Sequence, residues 1–255
     1  MEKKIDFSQV LSTLSGIKLE ICHLIDSKKL ILDTLRASKK ADGTIVTEID
    51  LYISDLFKEK FLDLYPFLSF YSEEDHEDFK YPMIILDPID GTKELAKGIE
   101  QCAVSFGIYY SGNLSDSRNF SWIFNPFTKF CIDSTVDIDT LLDLKSEYKG
   151  LLGLVSNTEY KNKLFNKSAD FKLRPVGSIA YKLGLLASNN CDFVITKRPK
   201  SIWDIMAGSH ICYLLGISMY VGGNKIEDLS SVVIDPIIIW SKDKNIPTLL
   251  TYFQK

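Results

Sequence analysis

Residues 83–94, Met-Ile-Ile-Leu-Asp-Pro-Ile-Asp-Gly-Thr-Lys-Glu, gather two carboxylates, a carbonyl between them and a hydroxyl into one bend. Met83 to Leu86 is an apolar run of strand length containing two β-branched isoleucines. Asp87 stands where that strand is expected to end, because Pro88 removes a backbone donor and fixes φ, so the ladder should not continue. Asp90 follows three residues later, and Gly91 permits a tight turn ahead of Thr92. Hard cations such as Mg²⁺ take such a set of carboxylate, carbonyl and hydroxyl oxygens.

Other acids could join them. Ser72-Glu73-Glu74-Asp75 follows a short apolar run, and clustered carboxylates repel one another unless a cation holds them. Asp204 falls in the first turn of an expected helix, where a favourable dipole is a sufficient reason for it. Asp50 lies three residues after Thr47, so capping the next helix competes with any role in a site. A strand-ending Asp in an Asx-type turn is the plain reading of Asp87. The haloacid-dehalogenase phosphatase pattern, Asp-x-Asp-Gly-Thr, needs its carboxylates one residue closer. The five cysteines lack CxxC spacing and read as reduced core thiols. His23, His76 and His210 have no partners at zinc-ligand spacing.

The elements that must position these groups follow from periodicity. Apolar residues from Ile5 to Leu35 recur at near-helical spacing, and a helix after Thr47 should bury Ile53, Leu56, Phe57 and Phe61. Phe67–Tyr71 reads as a strand delivering Ser72 and the acids. Residues 102–110, 120–124 and 129–134 read as antiparallel strands, with a turn at Gly112-Asn113. Strands at 151–156, 171–176, 192–196, 217–221 and 232–239 then alternate with helices at 158–167, 177–188 and 203–215. The fold class is α/β: an α+β half over 1–140 carrying most candidate ligands, and an α/β half over 141–255 supplying Asp204.

Composition is that of a globular chain, with 45% hydrophobic and 25% charged residues. A net charge of −4 gives no general attraction to nucleic acid or anionic lipid. No N-terminal apolar segment follows a basic region and no run reaches transmembrane length, so a cytoplasmic location is expected.

Five separated stretches resemble the inositol monophosphatase superfamily of Mg²⁺-dependent, lithium-sensitive phosphatases: residues 40–50, Ser72-Glu73-Glu74, Asp87–Thr92, residues 176–180, and Trp203-Asp204-Ile205-Met206-Ala207-Gly208. The resemblance implies a layered αβαβα sandwich and a homodimer. It implies two or three Mg²⁺ ions held by Glu73, Asp87, the Ile89 carbonyl, Asp90 and Asp204. Water would be activated by Thr92 paired with Asp42 or Asp50, Asp42 being favoured, with Glu74 and Asp50 supporting from behind. Substrate would meet Glu73, Asp90, Gly91, Thr92, Gly177, Ser178 and Asp204, although Ser178 also reads as an N-cap. Relatives hydrolyse inositol monophosphates, 3′-phosphoadenosine 5′-phosphate, histidinol phosphate or fructose bisphosphate. The motifs look most like the 3′(2′),5′-bisphosphate nucleotidase branch, from which Gly-Ser-Ile-Ala-Tyr-Lys departs. Inositol 1-phosphate is the alternative substrate, and a regulatory protein that kept the fold without turnover is the alternative of another class. A second phosphate would need basic partners, for which Lys93, Lys182, Lys197 and Arg198 are the rim candidates.

Overall fold

The first apolar stripe winds into one long helix, α1 (Phe7–Lys28), whose Val10, Leu14, Ile17, Ile21 and Ile25 are all buried. This is seen in a computed structural model that describes residues 4–28, 38–39, 45–46, 48–75, 78–137, 150–165, 170–231, 233–234 and 236–253. Leu32, Leu35, Asp42, Thr47, His76 and most of the expected boundary near 135–150 lie outside the described residues. Next come β1 (Ser38–Lys39) and β2 (Ile45–Val46), an antiparallel pair, and then α2 (Glu48–Leu64), which buries Ile53, Leu56, Phe57 and Phe61 as its spacing predicts.

One sheet follows: β3 (Ser69–Ser72), β4 (Met83–Asp90), then the short helix α3 (Thr92–Leu95), β5 (Ala103–Tyr109), β6 (Phe120–Phe124) and β7 (Cys131–Asp133). The strands lie in chain order, with β3 parallel to β4 and the rest antiparallel. The second half supplies β8 (Leu151–Val155), α4 (Asn157–Lys161), β9 (Phe171–Pro175), α5 (Ile179–Ala187), β10 (Phe193–Thr196), β11 (Lys200–Ser201) and α6 (Ile202–Leu214). It ends with β12 (Ser218–Val221), β13 (Asn224–Ile226), β14 (Val233–Ile234), β15 (Ile238–Ser241) and α7 (Ile246–Phe253). Its six-stranded sheet has the order β13-β12-β15-β10-β8-β9, with β10, β8 and β9 parallel.

Three cores stack these into an αβαβα sandwich. Alternate residues of β4 face opposite ways: Ile84 and Leu86 join the core with α1 and α2, whereas Met83 and Ile85 join that with α5 and α6. The middle core continues to Leu154, Val194 and Trp240 of the second sheet, whose other face packs Phe193 and Ile239 against Leu249 and Phe253 of α7. The fold is thus the mixed α/β sandwich that the motifs imply.

Some local expectations change. The strand expected over 232–239 is two strands, β14 paired with β11 and β15 inside the six-stranded sheet, because Pro236 separates them. The helix expected from 158 to 167 is the five-residue α4. The helix expected from Gly177 begins at Ile179, with Ser178 as its cap. The hairpin strand β13 and the C-terminal helix α7 have no counterpart in the reading from sequence.

Candidate active site

β4 does not stop at Asp87, as Pro88 led us to expect, but runs on to Asp90. Its pairing with β5 holds at Asp87 opposite Ser105, shifts register, and resumes at Asp90 opposite Ala103. Pro88 sits inside that irregularity, where no ladder donor is required. Gly91 follows at φ 99°, a conformation that favours glycine, and a Cβ there would sit tightly, 3.0 Å from the Gln101 carbonyl oxygen. Thr92 then opens α3, and its Oγ1 donates to the Ile89 carbonyl oxygen at 3.1 Å.

From the helical layer packed on β4, α6 brings a third carboxylate to the same place. Asp87, Asp90 and Asp204 each present one oxygen within 4.8 Å of the other two. Asp87 is 1% exposed, and neither of its oxygens meets a hydrogen-bond donor among the described residues. Burial, then the charges of Glu73, Asp90, Asp204 and Asp50, push its carboxyl well above the usual carboxylate range. Burial also drives Asp204 up to about 6, against the pull of Lys200. A carboxylate buried without donors is costly, and a divalent cation both supplies the missing partner and cancels the repulsion. The donor set therefore fits a hard ion such as Mg²⁺.

The neighbouring acids are oriented by the fold. Asp90 Oδ2 accepts from Ser178 Oγ and from the Ala180 amide, both at 2.6 Å, which ties the start of α5 to the end of β4. Ser178 is buried and its Oγ also accepts from the Tyr181 amide, so it caps α5 and steadies Asp90. Asp204 closes a capping box with Ser201, whose amide donates to Oδ2 at 3.3 Å. Glu73 stands half-buried at the end of β3, its amide bonded to the Leu86 carbonyl, and its side chain lines the cleft. Glu74 is half-buried beside it, and its amide donates to Ser72 Oγ at 3.3 Å. Asp50 is buried in the first turn of α2, near enough for its charge to act on Asp87.

Glu73, Asp87, Asp90 and Asp204 line a cleft of about 290 Å³ that also receives Ile89, Gly91, Thr92, Gly177 and Lys93, Lys182, Arg198 and Lys200, whereas Asp50, Glu74 and Ser178 stand behind its wall. The expected rim changes here. Lys182 is 2% exposed, and its Nζ donates to the Val176 and Gly177 carbonyls at 3.0 and 2.6 Å, so it braces the loop before α5. Burial lowers its ammonium to about 8. Lys197 places Nζ 5.5 Å over the Phe165 ring and does not line the cleft. Lys93 and Arg198 remain as exposed cations at the mouth.

Glu159 and Asn157 of the cleft wall escaped the sequence reading, and so did the contact that Lys200 makes with Asp204. Glu159 is buried and accepts from Thr196 Oγ1, the Lys197 amide and Ser156 Oγ; its signal was the Ser-x-x-Glu spacing of a capping box. Asn157 Nδ2 donates to Glu94 Oε1 and Gln101 Oε1, both at 3.2 Å, and Gln101 Oε1 also takes the Gly177 amide. Lys200 places Nζ 3.8 Å from Asp204 Oδ2, a contact legible as an i,i+4 pair across a helix start.

The model of the inositol monophosphatase family matches residues 8–137, just over half of the chain. Nus factor SuhB of Escherichia coli (strain K12) is 26% identical over 229 residues, covering 79% of this chain and 81% of that protein. The 3′(2′),5′-bisphosphate nucleotidase CysQ of Haemophilus influenzae is 25% identical over 197 residues, covering 69% and 71%. The Thermotoga maritima IMPase structure shares the fold with a TM-score of 0.73 at 20% identity, over 92% of this chain and 94% of that one.

Proposed function

The chain belongs to the inositol monophosphatase family, and from that premise we propose that it is a Mg²⁺-dependent phosphomonoesterase cleaving 3′-phosphoadenosine 5′-phosphate at its 3′ position. One observation carries the metal-dependent part: Asp87, buried without a hydrogen-bond donor among the described residues, beside Asp90 and Asp204. Glu73, Asp87, the Ile89 carbonyl, Asp90 and Asp204 would hold two or three ions between them. Bound there, such ions supply Lewis acidity toward phosphate oxygens and a water of lowered pKa.

The chain's own groups do the rest. Ser178 and the Ala180 amide keep Asp90 in one orientation, so the centre is arranged before substrate arrives. Thr92, beginning α3, turns its hydroxyl from the Ile89 carbonyl toward Asp42, gives its proton to that carboxylate and takes one from the attacking water. The Gly91 and Thr92 amides donate to a phosphate oxygen, and Gly177 lines the cleft where its backbone packs tightly against the Gln101 carbonyl and Glu94. Arg198 and Lys93 at the mouth attract the phosphate that does not react. The active form is a cytoplasmic homodimer in this proposal; no helix among the described residues is long and apolar enough to cross a membrane.

The similarity to Nus factor SuhB supports a second reading, a regulatory protein on the same fold. Protein treated with EDTA should be inactive and should recover with Mg²⁺. A panel of 3′-phosphoadenosine 5′-phosphate, inositol 1-phosphate and histidinol phosphate, scored by kcat/KM, tests the substrate. Turnover of none of them with Mg²⁺ present would favour the regulator.

A further inference from the structure

We infer that Lys200 is a built-in counter-ion of the acidic centre, competing with a divalent ion for Asp204 and weakening metal binding there. The inference rests on the metal-centre reading above. Lys200 is held on β11, paired with Ile234 of β14, and its side chain is 25% exposed within the cleft wall. Its Nζ lies 3.8 Å from Asp204 Oδ2, the oxygen that also accepts from the Ser201 amide. The same ammonium is in electrostatic reach of Asp90, Glu159 and Asp87.

Two consequences follow from having a cation so placed. Without metal, Lys200 offsets part of the repulsion among the carboxylates. With metal, a fixed positive charge faces an incoming positive ion across one shared carboxylate in a poorly screened wall. The lysine thus stabilises the metal-free protein at the expense of metal affinity.

Isothermal titration calorimetry of the EDTA-treated full chain with Mg²⁺ and Mn²⁺ tests this on the wild type, Lys200→Met and Lys200→Arg. Lys200→Met should bind at least one ion about tenfold tighter, since one unit of repelling charge is gone. Its metal-free form should melt lower than the wild type, and its melting temperature should rise further on adding Mg²⁺. Lys200→Arg should keep the wild-type affinity. If the methionine variant does not fold, the neutral and hydrogen-bonding Lys200→Gln makes the same comparison. Unchanged metal affinity in the neutral variants, with KM for substrate raised, overturns the inference and assigns Lys200 to phosphate. Absence of metal binding in every variant and in the wild type overturns the metal-centre reading itself.

Discussion

Two clusters of buried polar groups touch the five-stranded sheet, and they differ in one respect. In the middle core, Tyr109 Oη and Ser121 Oγ are 2.7 Å apart, and Ser121 Oγ is 2.8 Å from His210 Nδ1, so each group has a partner. At the end of β4, Asp87 is as deeply buried and has no donor among the described residues. A satisfied network costs little and fixes the packing of α6 on the sheet. An unsatisfied carboxylate beside other acids costs stability and is held by the surrounding fold for something that completes it. Burial alone therefore does not mark a site; burial without partners does.

The largest effect should come from the unsatisfied cluster. Asp90→Asn removes a charge from the proposed metal centre and should lower turnover by roughly 10³-fold or more. The amide oxygen can still accept from Ser178 and Ala180, so circular dichroism should be unchanged. Asp87→Asn should also lose turnover yet melt higher than wild type after EDTA treatment, by about 2–4 °C for each kcal/mol of repulsion relieved. Ser121→Ala should do the reverse, keeping kcat while costing about 1–3 kcal/mol, because Tyr109 and His210 lose their partner. Calorimetry and rate measurements on the three variants decide this. A lower melting temperature for metal-free Asp87→Asn would break the comparison.

Next in size is the pair proposed to activate water, Thr92 with Asp42. Thr92→Ala should depress kcat by roughly 10²- to 10⁴-fold with less effect on Mg²⁺ affinity. Asp42→Asn should match it, and the double variant should be little worse than either single one. Additive losses would show that the two do not act as a unit. Equal damage from Asp50→Asn would move the partnership to that buried acid.

The two clusters should also respond to pH in opposite directions when metal is absent. Burial lowers His210 from 6.5 to about 4, so the stability it contributes is complete above pH 6.5 and lost as pH falls toward 4. Its loss amounts to about 3 kcal/mol. Asp204, raised from 3.8 to about 6, and Asp87, raised as well, contribute stability that is complete below pH 3.8 and lost as pH rises through 6. Melting temperatures of EDTA-treated protein between pH 4 and 8 should show both limbs. His210→Gln should flatten the acid limb and Asp204→Asn the alkaline one. Profiles superimposable on the wild type would mean that neither group titrates where its surroundings suggest.

How much of this is legible in the sequence depends on how local the cause is. Asp87 and Asp90 lie in and at the end of an apolar strand and Asp204 in a first helical turn, positions that apolar runs and helical spacing bring out without tertiary structure. The α/β class follows from periodicities of the same local kind, whereas the αβαβα layering is legible only through the resemblance of the motifs to a known family. Pro88 misleads because the irregularity that accommodates it belongs to the pairing with β5, and no neighbouring residue announces it. Lys182 misleads because a lysine is ordinarily solvated, and only the packing of α5 between the sheets buries it. Residues 232–239 read as one strand despite Asp235 and Pro236 within them, although their two ends join different sheets.

The smallest effect should separate two cations of one cleft, and it sharpens the comparison at the rim. Lys182 is buried with carbonyl partners, so its loss should appear as lowered stability. Arg198 is exposed at the mouth, on the loop that leads to β11 and Asp204, so its loss should appear in binding. A nucleotide bisphosphate carries a phosphate that the metals do not engage, and an exposed guanidinium suits it through paired N–H donors. Arg198→Ala should therefore raise KM for 3′-phosphoadenosine 5′-phosphate by roughly tenfold, equivalent to about 1.4 kcal/mol, with kcat nearly unchanged. The KM for inositol 1-phosphate should move much less, because its single phosphate is the one that reacts. Equal shifts for both compounds, or a wild-type preference for inositol 1-phosphate in kcat/KM, would assign the chain to inositol monophosphate hydrolysis and leave Arg198 as a solvated surface residue.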